Sequence, residues 1–128
     1  MVETASLENR IQTLEAIEAI KRVKSRYWRC LNLNLWDEME GCFAKDAIAD
    51  FPAGRFQGWE AIIKYISETA APSRKSVIAV DQSHNPEIEI TDDKTAMGIW
   101  QMYIYRIDKE TNTGWHRFLY HYDDYVKE

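Results

Sequence analysis

The stretch LENRIQTLEAIEAIKRVKSRYWRCL, residues 7–31, decides the fold. Its apolar residues recur at steps of three and four, and Glu, Lys and Arg fill most positions between them. The apolar stripe consists of Leu7, Ile11, Leu14, Ile17, Ile20, Val23, Tyr27 and Leu31. This spacing predicts an amphipathic helix of roughly 25 residues that ends near Asn32-Leu33-Asn34. Asn34 is then expected to be the N-cap of a short second helix.

Two short strands and a third helix follow this long helix along the chain. Residues 47–51 alternate weakly, and residues 55–57 return after the turn Ala53-Gly54, which predicts a hairpin. Gly58 opens a helix that continues to about Thr69 and ends at Ala71-Pro72-Ser73. Its predicted buried stripe is Trp59, Ile62, Ile63 and Ile66.

The second half of the chain predicts a sheet. Its segments are rich in aromatic and β-branched residues and are separated by polar turns. The strands are predicted at residues 76–80, 87–91, 95–107 and 115–126. Helices segregated from an antiparallel sheet define an α+β fold. Residues 1–128 are therefore predicted to form a single domain with three helices packed on a curved, mainly antiparallel sheet.

The composition narrows the possible partners and the cellular compartment. A net charge of −5 disfavours nucleic acid and anionic membranes as partners. No apolar run reaches membrane-spanning length, and residues 1–5 lack the basic and apolar pattern of a signal peptide. Cys30 and Cys42 are without metal-type spacing and indicate reduced thiols. We therefore predict a cytoplasmic protein.

The phrase Ser83-His84-Asn85-Pro86-Glu87-Ile88 contains the first candidate for chemistry. Histidine titrates near neutral pH, so His84 could carry a proton. Tyr27 and Asn32, at the end of the long helix, could line a pocket with it. Each also has a purely structural interpretation: His84 as a turn residue, Tyr27 as a core tyrosine and Asn32 as a helix C-cap in the left-handed conformation.

Several phrases together resemble the SnoaL-like branch of the nuclear-transport-factor-2-like superfamily. They are Tyr27-Trp28-Arg29-Cys30-Leu31, Trp36-Asp37-Glu38, Phe43-Ala44-Lys45-Asp46, Gly58 and the His84 phrase. The similarity runs from about Leu14 to Tyr125 and is closest to bile acid 7α-dehydratase-like proteins. It implies a cystatin-like α+β cone that holds a small hydrophobic molecule.

The resemblance also implies a chemistry: proton removal next to a leaving group or carbonyl, without a cofactor. His84 matches the family's general base and Tyr27 its tyrosine, which would donate a hydrogen bond to the departing or developing oxygen. Asn32 stands where the family has an aspartate. An amide can orient an imidazole but cannot stabilise the imidazolium, so this departure is expected to cost orders of magnitude in rate.

Four further residues are expected to line the ligand pocket: Phe51, Trp100, Met102 and Tyr120. Trp100 and Met102 share a strand face with the small residues Ala96 and Gly98, which could leave room for a ligand, although such a face is more often simply core. His116 and His121 face opposite sides of the last strand, so we predict no metal site.

Three functional classes remain open at this point. The first is a cofactor-independent dehydratase or isomerase acting on a ring-containing hydroxy or keto compound. The second is a non-catalytic ligand-binding domain, and the third is an accessory subunit, such as the small subunit of a ring-hydroxylating dioxygenase. The family usually has one more strand after Tyr125; either the chain is cut short or the sheet is completed in another way. Aromatic residues on both sheet faces predict a homo-oligomer, a dimer or trimer, built through the sheet.

Overall fold

The computed structural model describes residues 5–70 and 76–128 of the chain. The predicted helix stop at Ala71-Pro72-Ser73 lies outside these residues. The helices are α1 (Leu7–Leu33), α2 (Trp36–Met39), which continues into a short 3-10 turn (Glu40–Cys42), and α3 (Trp59–Ala70). The strands are β1 (Ile48–Phe51), β2 (Gly54–Gln57), β3 (Val77–Ile90), β4 (Thr95–Asp108) and β5 (Thr113–Val126). The predicted α+β class is confirmed.

Helix α1 begins and ends at residues that satisfy its free backbone groups. The Ser6 side chain accepts a hydrogen bond from the Asn9 N–H at 3.1 Å, which is an ordinary N-cap. At the other end Asn34 takes the left-handed conformation, with φ 57°, and its N–H bonds to the carbonyls of Cys30 and Leu31. Asn34 is thus the C-cap of α1. The predicted end of the helix near Asn32-Leu33-Asn34 is confirmed, because α1 ends at Leu33. The predictions that Asn34 is the N-cap of the second helix and that Asn32 is the C-cap of the first are wrong.

The three long strands form an antiparallel sheet in the order β3-β4-β5, and β1 pairs with β2 as a separate hairpin. Two short strands were expected at residues 76–80 and 87–91, but β3 is one strand of 14 residues. Its register with β4 shifts between His84 and Glu87, and Asn85 within the shift has φ 48°. Because Pro86 has no N–H to donate, the ladder is interrupted there as a β-bulge rather than ended.

The sheet has two chemically different faces. The inner face packs against α1 and includes Ser83, Trp100, Met102, Leu119 and His121. The outer face carries the alternate residues, which include Tyr103, Tyr105, Phe118, Tyr120 and Tyr122. Phe118 and Tyr122 are 73% and 75% exposed. The expected aromatic content on both faces is therefore present.

The main core lies between α1, α2, α3 and the inner face. Its buried members are Trp28, Cys30, Leu31, Met39, Ile62, Ile63, Ile66 and Met102. The predicted stripe of α3 is correct, with Ile62, Ile63 and Ile66 buried. The predicted stripe of α1 is confirmed in its second half, where Ile20 and Leu31 are buried, and is wrong in its first half, where Leu7, Ile11 and Leu14 are exposed. The buried residues of α1 are Ile20, Lys24, Trp28, Cys30 and Leu31. In the part of the chain that the structure describes, no helix is long and apolar enough to cross a membrane.

Candidate functional site

Tyr27 lies on α1 among aromatic side chains. Its ring meets Trp28 edge-on at a centroid distance of 4.7 Å and Phe43 at 5.8 Å. Burial raises the pKa of the Tyr27 hydroxyl well above its usual value, and the negative charges of Asp123 and Asp81 add to this effect. Tyr27 therefore stays protonated at neutral pH and can donate a hydrogen bond.

Asn32 attaches the end of α1 to strand β3. Its side-chain oxygen accepts from the Asp81 N–H at 3.1 Å, and its side-chain nitrogen donates to the Asp81 carbonyl at 3.0 Å. The Asn32 amide thus bonds to both backbone groups of Asp81, as a residue of a neighbouring strand would. Asn32 was expected to orient an imidazole, but the structure gives its amide the backbone of Asp81 as a partner.

His84 is exposed and lies opposite Gln101 in the β3–β4 register. The preceding residue, Ser83, faces inward, where its hydroxyl accepts from the Trp28 ring N–H at 2.8 Å. Neighbouring strand residues point to opposite faces, so His84 lies on the outer face, next to the bulge. The structure brings Tyr27 and Asn32 to the inner side of the sheet and does not bring His84 to them.

The four predicted lining residues do not share one surface. Trp100 and Met102 are buried on the inner face, together with Ala96 and Gly98. Phe51 lies in the β1–β2 hairpin, where its ring stacks on Tyr65 at 5.1 Å. Tyr120 is 58% exposed on the outer face. A ligand against Trp100 and Met102 would thus lie across the sheet from Tyr120.

A buried polar cluster on the inner face was not predicted from the sequence. Lys24 of α1 is 6% exposed, and its Nζ lies 2.5 Å from Asp123 Oδ2 and 3.2 Å from His121 Nδ1. The Tyr125 hydroxyl donates to the same Asp123 oxygen at 2.9 Å. The Trp100 ring N–H in turn donates to the Tyr125 hydroxyl at 2.9 Å. We call Lys24, His121, Asp123 and Tyr125 the inner cluster.

Three aromatic rings surround the ammonium group of Lys24. Its Nζ lies 5.7 Å from the ring centroid of Tyr27, 5.5 Å from that of Trp28 and 5.7 Å from that of Trp100. Burial lowers the pKa of Lys24, and the adjacent Asp123 carboxylate opposes this effect. The ion pair and the cation–π contacts favour the charged form, so the inner cluster contains a compensated cation.

His121 is held in its neutral form by this environment. Burial, and then the positive charge of Lys24, lower the pKa of the His121 imidazole from 6.5 to about 4, although Asp123 and Asp81 oppose the shift. The ring also packs against Trp28, with centroids 5.6 Å apart. At neutral pH the inner cluster thus holds an ammonium, a carboxylate and an uncharged imidazole.

Two sequence signals could have found the inner cluster. Lys24 is in step with Ile20, Trp28 and Leu31, so it belongs to the buried stripe of α1 despite its charge. On β5, His121, Asp123 and Tyr125 alternate with exposed residues. Polar residues at period two, on the strand face that also carries Leu119, indicate a buried polar site rather than a solvated face.

Comparisons with known proteins agree with this architecture. A family described as the SnoaL-like domain matches residues 12–128. The structure of hexachlorocyclohexane dehydrochlorinase (LinA) Type2 is similar with a TM-score of 0.82 and 14% identity, over 93% of this chain and 80% of that one.

Two proteins from Novosphingobium aromaticivorans also have similar structures. One, provisionally named a scytalone dehydratase, has a TM-score of 0.80 and 18% identity, over 93% of this chain and 78% of that one. The other is an NTF2-like protein with a cystatin-like fold, with a TM-score of 0.84 and 16% identity, over 100% of this chain and 82% of that one. At these identities the similarity establishes the fold alone, and the expected cystatin-like cone is confirmed. The closer similarity to bile acid 7α-dehydratases stays a prediction.

Proposed function

Because this chain belongs to the SnoaL-like domain family, we propose that it binds a hydrophobic ring compound through a hydroxyl or keto oxygen and acts as a cofactor-independent lyase or isomerase. The observation that carries the proposal is the protonated Tyr27 hydroxyl, set among Trp28 and Phe43 beside a buried charged cluster. An aromatic surface binds the ring, and a neutral donor in a site of low polarity stabilises negative charge as it develops on the oxygen.

The similar proteins support this class of reaction. Dehydrochlorinase and dehydratase are both names for enzymes that eliminate a small group from a carbon skeleton. Elimination of this kind requires removal of a proton and stabilisation of the departing or developing negative charge. Tyr27 supplies the second requirement as a hydrogen-bond donor.

The general base is proposed from family resemblance: His84. His84 lies on the outer face and Tyr27 on the inner side of the sheet, so the structure does not bring the two to one bound substrate, and the role of each is proposed and tested separately. The chain has three histidines, and His116 and His84 are both exposed. His116 therefore provides a matched control for a substitution at His84.

The test uses 2-tetralone, a fused-ring ketone, as a model substrate, so the natural substrate need not be known. The exchange of its α-hydrogens for deuterium in D₂O is measured by proton NMR. Tyr27→Phe removes only the hydroxyl and is expected to slow the protein-catalysed exchange by roughly tenfold or more, because one oxyanion donor is lost. Tyr65→Phe, in the β1–β2 aromatic cluster, is the control and should retain the wild-type rate. His84→Gln should slow exchange if His84 is the base, and His116→Gln should not.

Wild-type exchange equal to that in buffer would contradict catalysis of proton transfer. Exchange that survives Tyr27→Phe unchanged would remove Tyr27 as the donor. Exchange that survives His84→Gln unchanged would remove His84 as the base and leave the rest of the proposal standing.

A second candidate function is ligand binding without catalysis. It is favoured by two observations: the Asn32 side chain bonds to the β3 backbone, and His84 lies away from Tyr27. The family resemblance, which implies an aspartate at the position of Asn32, also favours it. Saturable quenching of the protein's tryptophan fluorescence by 2-tetralone, with no exchange above buffer, would support this function over the first.

We also propose that the domain forms a homo-oligomer, a dimer or trimer, through the outer face of the sheet. The support is the row of exposed aromatic side chains on that face, Phe118, Tyr120 and Tyr122. Apolar rows of this size are typical of association surfaces. A small hydrophobic molecule would then be bound on the opposite, inner face of each subunit.

A further inference from the structure

We infer that Lys24, which Asp123 holds in place, keeps the neutral imidazole of His121 in the tautomer with its proton on Nε2, which makes the ring a second hydrogen-bond donor, beside Tyr27, for the oxygen of a bound ligand. This inference rests on the proposed small-molecule function. It adds His121 as a ligand-contacting residue and Lys24 as a positioning residue, neither of which the family resemblance indicates.

The hydrogen-bond geometry around Lys24 assigns the tautomer. An ammonium group has three donors and no acceptor. Its Nζ lies 3.2 Å from His121 Nδ1, so Nδ1 accepts a hydrogen bond and cannot carry a proton. A neutral imidazole with an unprotonated Nδ1 carries its proton on Nε2. The opposite tautomer would place two donors against each other at this distance.

The charge on Lys24 is maintained by its other neighbours. Asp123 Oδ2 lies 2.5 Å from Nζ, and the faces of three aromatic rings lie within 5.7 Å. Tyr125 also donates to that carboxylate oxygen, which fixes Asp123 in place. Lys24 is therefore anchored by groups on α1, β4 and β5, and it presents one of its protons to His121.

The groups facing His121 from every packed element determine its charge. Lys24 on α1 disfavours the imidazolium, while Asp123 on β5 and Asp81 on β3 favour it. The residue paired with it on β4 is Trp100, which is uncharged. Burial and Lys24 dominate, so the ring stays neutral through the physiological pH range.

The Nε2–H is available to a ligand. Among the residues that the structure describes, none accepts a hydrogen bond from His121 Nε2, and the ring is only half-buried. Tyr27 contacts the same ammonium, with its ring centroid 5.7 Å from Nζ. Two neutral donors that keep their protons over a wide pH range suit a carbonyl or enolate oxygen.

The test is the tautomer of His121 in the ligand-free protein, measured by long-range ¹H–¹⁵N correlation NMR between pH 4.5 and 8. His84→Gln and His116→Gln identify the His121 signals by elimination. The expected result is a neutral ring protonated on Nε2 across this range. A ring protonated on Nδ1, or an imidazolium at pH 6, would overturn the inference whatever the protein's activity.

Removal of the positioning charge is the second arm. Lys24→Met with Asp123→Asn leaves no unpaired buried charge in the pair. Because the lowering effect of Lys24 exceeds the raising effect of Asp123, the double variant is expected to raise the pKa of His121 and to mix the tautomers. If the folded double variant keeps the wild-type tautomer and pKa, Lys24 is not the positioning residue.

Addition of 2-tetralone to the wild-type protein is the third arm and should shift the His121 Nε2 signal. Saturating 2-tetralone could instead change only the chemical shifts of residues remote from His121. His121 would then not donate a hydrogen bond to the ligand, even if its tautomer is as expected. Because the first arm uses no ligand, its outcome is independent of the proposed function.

Discussion

At the scale of single residues, the charge state of the inner cluster depends on one lysine in the buried stripe of α1. Lys24 takes a position that the helical period assigns to the core, and it is 6% exposed. A buried charge is tolerated only when it is paired, and Asp123 provides the pair. Burial and the charge of the same ammonium together lower the pKa of His121 and keep its imidazole neutral.

This arrangement predicts a pH dependence of stability. The pKa of His121 is lowered from 6.5 to about 4, so between these values the unfolded chain binds a proton that the folded protein does not. The free energy of unfolding should therefore fall as the pH falls from 6.5 towards 4, with a His121 contribution of at most ~1.4 kcal/mol per pH unit.

Urea denaturation at a series of pH values measures this slope. His121→Gln can still accept from Lys24 and should flatten the profile in this interval, whereas His116→Gln, an exposed histidine, should not. Identical slopes for the wild type and His121→Gln would show that His121 titrates normally in the folded protein.

At the scale of secondary-structure elements, side-chain hydrogen bonds attach α1 to both outer strands of the sheet. Near its middle, Lys24 bonds to β5 through His121 and Asp123. At its end, Asn32 bonds to the backbone of Asp81 in β3. Since β3 and β5 are the two outer strands of the three-stranded sheet, these contacts set the angle at which the helix crosses it.

Asn32→Asp tests the second attachment. The aspartate keeps an acceptor for the Asp81 N–H but loses the donor to the Asp81 carbonyl, so we expect the free energy of unfolding to fall by about 1–3 kcal/mol. Asn9→Asp, at the exposed start of α1, is the matched control and should change it by less than ~0.5 kcal/mol. Thermal and urea unfolding measure both. A variant Asn32→Asp as stable as the wild type would mean that these two bonds contribute little.

At the scale of the whole molecule, the outer face of the sheet carries several exposed aromatic side chains. Phe118, Tyr120 and Tyr122 are each more than half exposed on β5. Tyr105 on β4 and Ile78 on β3 are also exposed, at 38% and 47%. The face therefore extends across all three strands, as a sheet-mediated contact requires.

We expect a dimer or trimer at micromolar concentration, with on the order of 800 Å² buried by each subunit. Phe118→Glu combined with Tyr122→Glu places charge at the centre of the outer face and should give monomers. Leu14→Glu, at an exposed apolar position of α1, should leave the assembly intact. Light scattering after gel filtration measures the mass. A monomeric wild type, or a double variant that stays assembled, would contradict assembly through this face.

The sequence by itself determined the elements and their faces. Helical and strand periods are local properties, so α3, β4, β5 and the separation of Trp100 from Tyr103 followed from the spacing of apolar residues. The prediction from local spacing failed at Pro86, which indicated the end of a strand. Strand β3 instead continues past Pro86, because it pairs with β4 on both sides of the bulge.

Only the tertiary structure decided which polar residues meet. Lys24 lies 97 residues from His121 and 99 from Asp123, and no local pattern relates them. One position along β3 separates the inward Ser83 from the outward His84, so the strand register, rather than residue type, removed His84 from the face that carries Tyr27. Apolar packing between distant segments sets that register, and it is therefore fixed only when the helix and sheet come together.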